Sequence, residues 1–173
     1  SGLFDHVIVS TDDTEIADVA QQAGAEVPFM RPDTLADDFA PTRSVINHAI
    51  VESEKVFGTQ VETLCNIYAT AAFTQEADLI AARQRLEKVD ENGFVFSAIT
   101  YAHPIHRAMV ETVDGKVEML FPEHTKSRTQ DLPETFHDAG MFYWGRRDAF
   151  LTQAPMFSSV SSPYFLSRDC AVD

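Results

Sequence analysis

Residues 63–101 open on Thr63-Leu64-Cys65-Asn66-Ile67-Tyr68 and close on Phe94-Val95-Phe96-Ser97-Ala98-Ile99-Thr100-Tyr101. Between them, from Gln75 to Val89, the apolar residues Ala77, Ile80, Ala81 and Leu86 recur at helical spacing. The two flanks have the apolar, β-branched and aromatic character of strands. Strand, helix and strand in succession predict a parallel pair joined by a right-handed crossover. Upstream, a helix is expected from Pro41-Thr42 through Val45, Ile46, Ala49, Ile50 and Val56, stopping by Gly58. Before it, Glu26 to Met30 reads as a short strand ended by Arg31-Pro32-Asp33. Thr14 to Ala23 reads as a helix, with Ile16, Val19, Ala20 and Ala23 at helical spacing and Gly24 as its stop. Phe4-Asp5-His6-Val7-Ile8-Val9-Ser10 reads as a buried strand. Downstream, Met109–Val113 and Val117–Phe121 form a hairpin through Asp114-Gly115-Lys116, followed by a polar loop at 122–134 and a strand from Met141 to Trp144. The expected fold is therefore α/β, a mostly parallel sheet flanked by helices. Ligands of such sheets gather at the carboxyl ends of the strands, which singles out Ser10-Thr11-Asp12 and Tyr68-Ala69-Thr70.

The 173 residues suit one compact domain. An apolar share of 45% supplies a core and excludes wholesale disorder. With 13 Lys and Arg against 27 Asp and Glu, the net charge is −14, which argues against a nucleic-acid binder. A nucleotide substrate stays open, because a metal ion and a few local arginines offset the repulsion. No apolar run approaches the roughly 20 residues that span a bilayer, and no signal peptide is visible, so a cytoplasmic location is expected. Cys65 and Cys170 lie far apart and read as reduced thiols.

Several residues can carry chemistry, and each also has a plainer structural reading. Ser10-Thr11-Asp12-Asp13 can hold an anion or a ribose-phosphate at a helix start, or can simply cap that helix. Asp169 and Asp173 can ligate magnesium or lie solvated at the surface. Arg128 and Gln130, near Lys126, can fork onto a carboxylate or belong to an exposed charged loop. His137-Asp138 can orient a ligand hydroxyl or satisfy a buried polar network. His103 and His106 flank Pro104 and read as structural or surface residues, and Phe142-Tyr143-Trp144 as a core strand. The sequence contains neither GxGxxG nor GxxxxGK[ST], and no Ser-His-Asp or Cys-His nucleophile set.

Beyond these readings, a series of segments resembles the cytidylyltransferases that activate nine-carbon acidic sugars, the CMP-sialic acid synthetase group, with the pseudaminic acid branch the nearest. The matching pieces are residues 9–17 (VSTDDTEIA), 24–32 (GAEVPFMRP), 35–38, 40–42 and 67–73 (IYATAAF). Further along they are residues 128–133 (RTQDLP) and 136–145 (FHDAGMFYWG). The resemblance implies a Rossmann-like nucleotide-diphospho-sugar transferase fold, with a dimerisation arm at residues 102–135. It implies transfer of CMP from CTP to a pseudaminic- or sialic-type sugar acid, with release of pyrophosphate and help from Mg2+, in a homodimer. By position, Ser10, Thr11 and Asp12 would lie near the nucleotide. Tyr68, Thr70, Arg128, Gln130 and Asp138 would bind the sugar, and Asp173 would be a metal ligand. Members of this family begin with a strand and a Gly/Arg/Lys-rich loop that grips the CTP phosphates, whereas this sequence starts at Ser1-Gly2-Leu3-Phe4. A second metal aspartate and a closing helix would follow Asp173. The expectation is one domain over 1–173, truncated at both ends, with an apolar edge exposed on its first strand and no turnover by itself. The alternative is a non-catalytic remnant that binds nucleotide or sugar, or serves as a dimeric assembly module. Met141 and Ala72 depart from the family's glutamine and proline.

Overall fold

The computed structural model describes residues 2–37 and 39–170. In chain order the elements are α1 (Thr14–Gln22), α2 (Thr42–Phe57), β1 (Thr63–Ile67), α3 (Glu76–Leu86), β2 (Phe94–Thr100), β3 (Met109–Glu111), β4 (Val117–Met119), β5 (Phe136–Arg146), α4 (Arg147–Leu151) and β6 (Ser162–Phe165). The helices start and stop for local reasons. Asp13 caps α1 by accepting hydrogen bonds from Glu15 N (2.7 Å) and Ile16 N (3.1 Å). Gln75 and Asp78 form a reciprocal capping box on α3. Gly58, at φ 67°, ends α2 in the left-handed conformation that a side chain disfavours.

The main sheet has the order β1-β5-β2-β6. β5 lies between β1 and β2 and runs antiparallel to both, and β2 pairs with β6 in parallel. The strand pairing is thus mixed, where a mostly parallel sheet was expected. β1, β2 and β6 do share one direction, as helical crossovers require, but the return strand β5 enters the middle instead of an edge.

Alternation along the central strands separates two cores. On one face, Val95, Ile99, Phe142 and Trp144 pack with Ala82 and Leu86 of α3. On the other, Phe94 meets Ile46 and Ile50 of α2 and Ala149 and Phe150 of α4. Phe94 and Phe150 are both fully buried and contact edge-to-face at 4.9 Å. Each contributes about 1.5–3 kcal/mol through burial alone. The Arg43 guanidinium sits 5.0 Å over Phe94 and donates to the carbonyls of Ala149, Phe150 and Ala154, tying α2 to α4.

The expected first strand takes a different form. Residues 4–10 make only one parallel bridge, Ile8 to Glu26, held by Val9 N to Glu26 O (2.9 Å) and Glu26 N to Val7 O (2.8 Å). The expected strand at 26–30 is likewise reduced to that bridge. Among the described residues no third segment pairs alongside, and a two-stranded pairing alone does not extend far; Val7 is 55% exposed. Side chains dock this stretch instead: Phe4 stacks on Trp144 at 5.3 Å, and His6 stacks on Phe57 at 3.8 Å.

The hairpin forms as read, shorter than expected, with β3 and β4 paired antiparallel. Its apolar residues face outward: Met109, Val110, Val113 and Val117 are all exposed. The last strand is longer than the expected 141–144, because it begins at Phe136 and contains an irregularity. Phe96 pairs with Tyr143, yet Ala98 pairs with Asp138, so Ser97 alone faces residues 139–142. Fully buried Ser97 accepts hydrogen bonds at Oγ from Met141 N and Phe142 N, both at 3.1 Å.

Candidate active site

On the α2 face of the sheet, β2, the start of β5 and residues 157–163 line an open cavity of about 540 Å³. Its walls are Phe96, Phe136 and Phe157, and its polar groups come from His137, Asp138, Ser158, Ser159 and Ser161. Alternation explains the wall: Phe96 falls on the same face of β2 as Phe94 and projects beyond the α2–α4 core. Phe157 meets it edge-to-face at 5.0 Å, and Phe136 lies 6.5 Å away.

The carboxylate in this cavity is held from two sides. Asp138 Oδ1 accepts from Gly140 N at 3.1 Å, and Oδ2 accepts from the Tyr143 hydroxyl. Burial, and then the Asp138 carboxylate, push the Tyr143 phenol far above its ordinary value, so it remains a neutral donor. Tyr68 packs edge-to-face on Tyr143 at 5.7 Å and donates its hydroxyl to Thr42 Oγ1 at 3.3 Å. Tyr68, Tyr143 and Asp138 thus form one polar file from the start of α2 to the cavity. His137 Nδ1 lies 2.8 Å from the Asp138 carbonyl oxygen, and its ring packs 4.9 Å from Tyr101. Such a mixed lining, apolar walls with a few fixed polar groups, suits a small polar molecule that carries apolar substituents.

The other expected site residues lie elsewhere. Ser10, Thr11 and Asp12 follow the Ile8 bridge. Thr11 is buried, with its hydroxyl accepting from Asp13 N (3.1 Å) and its carbonyl from Arg31 N (2.8 Å). Asp12 pairs with Arg31 at 2.8 Å, and the Arg31 hydrogen bond holds its carboxyl below the usual range. Ser10 Oγ is buried and has no hydrogen-bond partner, as is Arg31 Nε. A smaller hollow of about 240 Å³, lined by Asp13, Glu15, Ile16 and Val19, adjoins this loop along α1. Thr70 is exposed in the turn after Tyr68. Arg128 and Gln130 sit in a short turn of the segment following the hairpin, where Arg128 makes a two-pronged pair with Asp131 at 2.7 and 3.1 Å. Asp138 lines the cavity and Tyr68 is joined to it through Tyr143, whereas Tyr68, Ser10–Asp12, Thr70, Arg128 and Gln130 do not line the cavity.

Asp173 lies outside the described residues, and Asp169 is exposed in a short turn. Among the described residues no group of three or more His, Cys, Asp and Glu side chains is arranged to hold a metal ion. A magnesium ion held by one or two carboxylates and the substrate's phosphates would not need such a group. Phe96, Phe136, Phe157, Tyr143 and the serines of 158–161 were not singled out from sequence. The Ser-rich stretch 158–162 between apolar segments was a readable loop signal, but nothing in it indicated that β2 would supply the facing wall.

The fold is thus an α/β one, a mixed sheet with helices on both faces and a polar and aromatic cleft beside β2 and the start of β5. A family model of cytidylyltransferases matches residues 1–166, and the chain belongs to that family. It is 38% identical, over 100% of its length and 74% of the relative's, to a pseudaminic acid cytidylyltransferase of Campylobacter jejuni. It is 34% identical, over 96% of its length and 31% of the relative's, to a Helicobacter pylori protein described as pseudaminic acid cytidylyltransferase and UDP-2,4-diacetamido-2,4,6-trideoxy-beta-L-altropyranose hydrolase. A CMP-N,N'-diacetyllegionaminic acid synthase of Campylobacter jejuni is 30% identical, over 100% of this chain and 73% of the relative. Among solved structures, CMP:2-keto-3-deoxy-manno-octonic acid synthetase complexed with CTP superposes with a TM-score of 0.60 at 12% identity, covering 95% of this chain and 73% of that one. At that identity the likeness speaks for the fold alone.

Proposed function

We propose that this chain serves the transfer of CMP from CTP to an acidic nine-carbon sugar of the pseudaminic type. In that reaction the sugar's anomeric oxygen bonds to the α-phosphorus of CTP. The bond from that phosphorus to the bridging oxygen breaks, pyrophosphate departs, and the hydroxyl proton passes to solvent. The observation that carries the reading is the 38% identity to a pseudaminic acid cytidylyltransferase along the entire chain. The cavity supports it. One relative's name places two acetyl groups on its CMP-activated sugar, and three phenylalanine faces suit such acetyl methyls. Asp138 and the serines are placed to accept from or donate to the amides and hydroxyls of the same molecule. Ser10, Thr11 and Asp12 are assigned to the nucleotide, and Thr70, Arg128 and Gln130 to the sugar, with the last two coming from the arm of a second copy. Magnesium dependence, with Asp173 as a ligand, and a cytoplasmic location belong to the same reading.

Positioning and charge neutralisation do most of the work in such transfers. Binding by these 173 residues is the informative measurement. Calorimetry of the purified chain should show magnesium-dependent binding of CTP and separate binding of pseudaminic acid. Phe157→Ala should weaken the sugar acid about tenfold, or about 1.4 kcal/mol, and leave CTP unchanged. Absence of binding by both ligands would refute the reading. A dimeric assembly module would then remain, for which the exposed apolar hairpin is the favouring observation.

A further inference from the structure

In a regular ladder with Phe96 opposite Tyr143, the residue opposite Ala98 would be Met141. Directly opposed residues share a face, so Met141 would then point into the cavity. The register shift places Asp138 there instead. Met141 is turned into the α3-side core, where it is almost fully buried. The shift loops out residues 139–142 against a single residue of β2 and passes through Gly140 at φ 63°. Such a loop leaves ladder amides without strand partners. Two of these, Met141 N and Phe142 N, donate to Ser97 Oγ. Ser97 lies on the α3 face, with no exposed surface and no contact with the cavity.

From this geometry we infer that Ser97 is a positioning residue: its hydroxyl fixes the register shift that presents the Asp138 carboxylate, instead of the Met141 thioether, to the sugar cavity. The assignment of a sugar to that cavity rests on the function proposed above; the coupling of Ser97 to Asp138 does not. An alanine at 97 leaves two buried amides unpaired, and a slipped register that pairs them draws Asp138 away from Gly140 and Tyr143. Affinity then falls by the fraction of molecules that retain the competent register.

The test has a ligand-free arm and a binding arm. In the wild-type background, Asp138→Asn should move the Gly140 amide resonance, because that amide donates to the Asp138 carboxylate. Ser97→Ala should abolish this movement while the amides of Cys65 and Gly145 stay in place, and Ser97→Thr, which keeps the hydroxyl, should restore it. Should the alanine variant fail to fold, Ser97→Cys, similar in volume but a weak acceptor, should show the same loss. In calorimetry, Ser97→Ala should weaken pseudaminic acid about tenfold with CTP affinity unchanged, and Asp138→Asn should add little to that loss. A Gly140 response unchanged in both Ser97→Ala and Ser97→Cys overturns the inference. Wild-type protein that binds no pseudaminic acid but shows the Gly140 coupling removes the sugar assignment and leaves the positioning role intact.

Discussion

Gly145 stands where β5 passes beneath the α2–α4 core. A Cβ there would come within 2.6 Å of Phe150 and 2.7 Å of Phe94, both side chains being fully buried. Gly145→Ala should therefore cost about 1–3 kcal/mol through overpacking, read as a lower midpoint in urea denaturation with an unchanged slope. Cys65 gives a second test at this scale. It packs against the α3-side core, and burial raises its thiol well above the ordinary 9.0. The folded state thus prefers the neutral thiol. That contribution to stability is complete below the ordinary thiol value and is lost as pH rises above it, where the unfolded chain ionises first. At pH 8, Ellman's reagent should react with Cys170 and reach Cys65 only after denaturant is added. Individual site residues were unevenly legible. Tyr68 and Asp138 were singled out and meet through Tyr143. The sequence reading treated Tyr143 only as core, because its position within an aromatic run does not reveal a hydroxyl aimed at a carboxylate.

At the scale of elements, an ion pair adds to the packing that joins α2 to the start of α4. Arg147 grips both oxygens of Glu54, at 2.6 and 3.0 Å, and Glu54 also accepts from Val61 N at 3.0 Å. The Arg147 hydrogen bond holds the Glu54 carboxyl below its ordinary 4.5. A carboxyl depressed in the folded state contributes above its ordinary value and loses that contribution as pH falls toward the folded one. Glu54→Gln should lower the thermal midpoint at pH 7 and flatten its decline below pH 4.5, a difference that vanishes in strong acid. Helices α1, α2 and α3 and strands β1 and β2 were legible because caps, glycines and apolar spacing are local signals. The segment at 4–10 was not. A β-branched run states a preference for extended backbone, whereas a strand exists only where a partner lies alongside. The start of β5 was obscured for the opposite reason: polar His137 and Asp138 and the looped-out register break the alternation that marks a strand.

For the whole molecule, strand order was the part least available from sequence. Alternating strands and helices specify crossovers, but they do not say where a returning strand will enter. The β3–β4 hairpin carries exposed Val113 and Val117, which would be covered in the proposed homodimer. Light scattering coupled to gel filtration should give twice the chain mass. Val113→Glu with Val117→Glu should halve that mass while leaving the circular dichroism of the monomer intact. A monomeric wild type would exclude the dimer.

The place of β5 also governs the order of events during synthesis. β1 and β2 share no hydrogen bonds, since each is bonded to β5. A nascent chain that has emerged only as far as residue 130 can wind its helices, but it has no sheet to lay them on. Assembly of the interior thus waits until β5 has left the ribosome, and until then the apolar strands depend on whatever shields them in the cell.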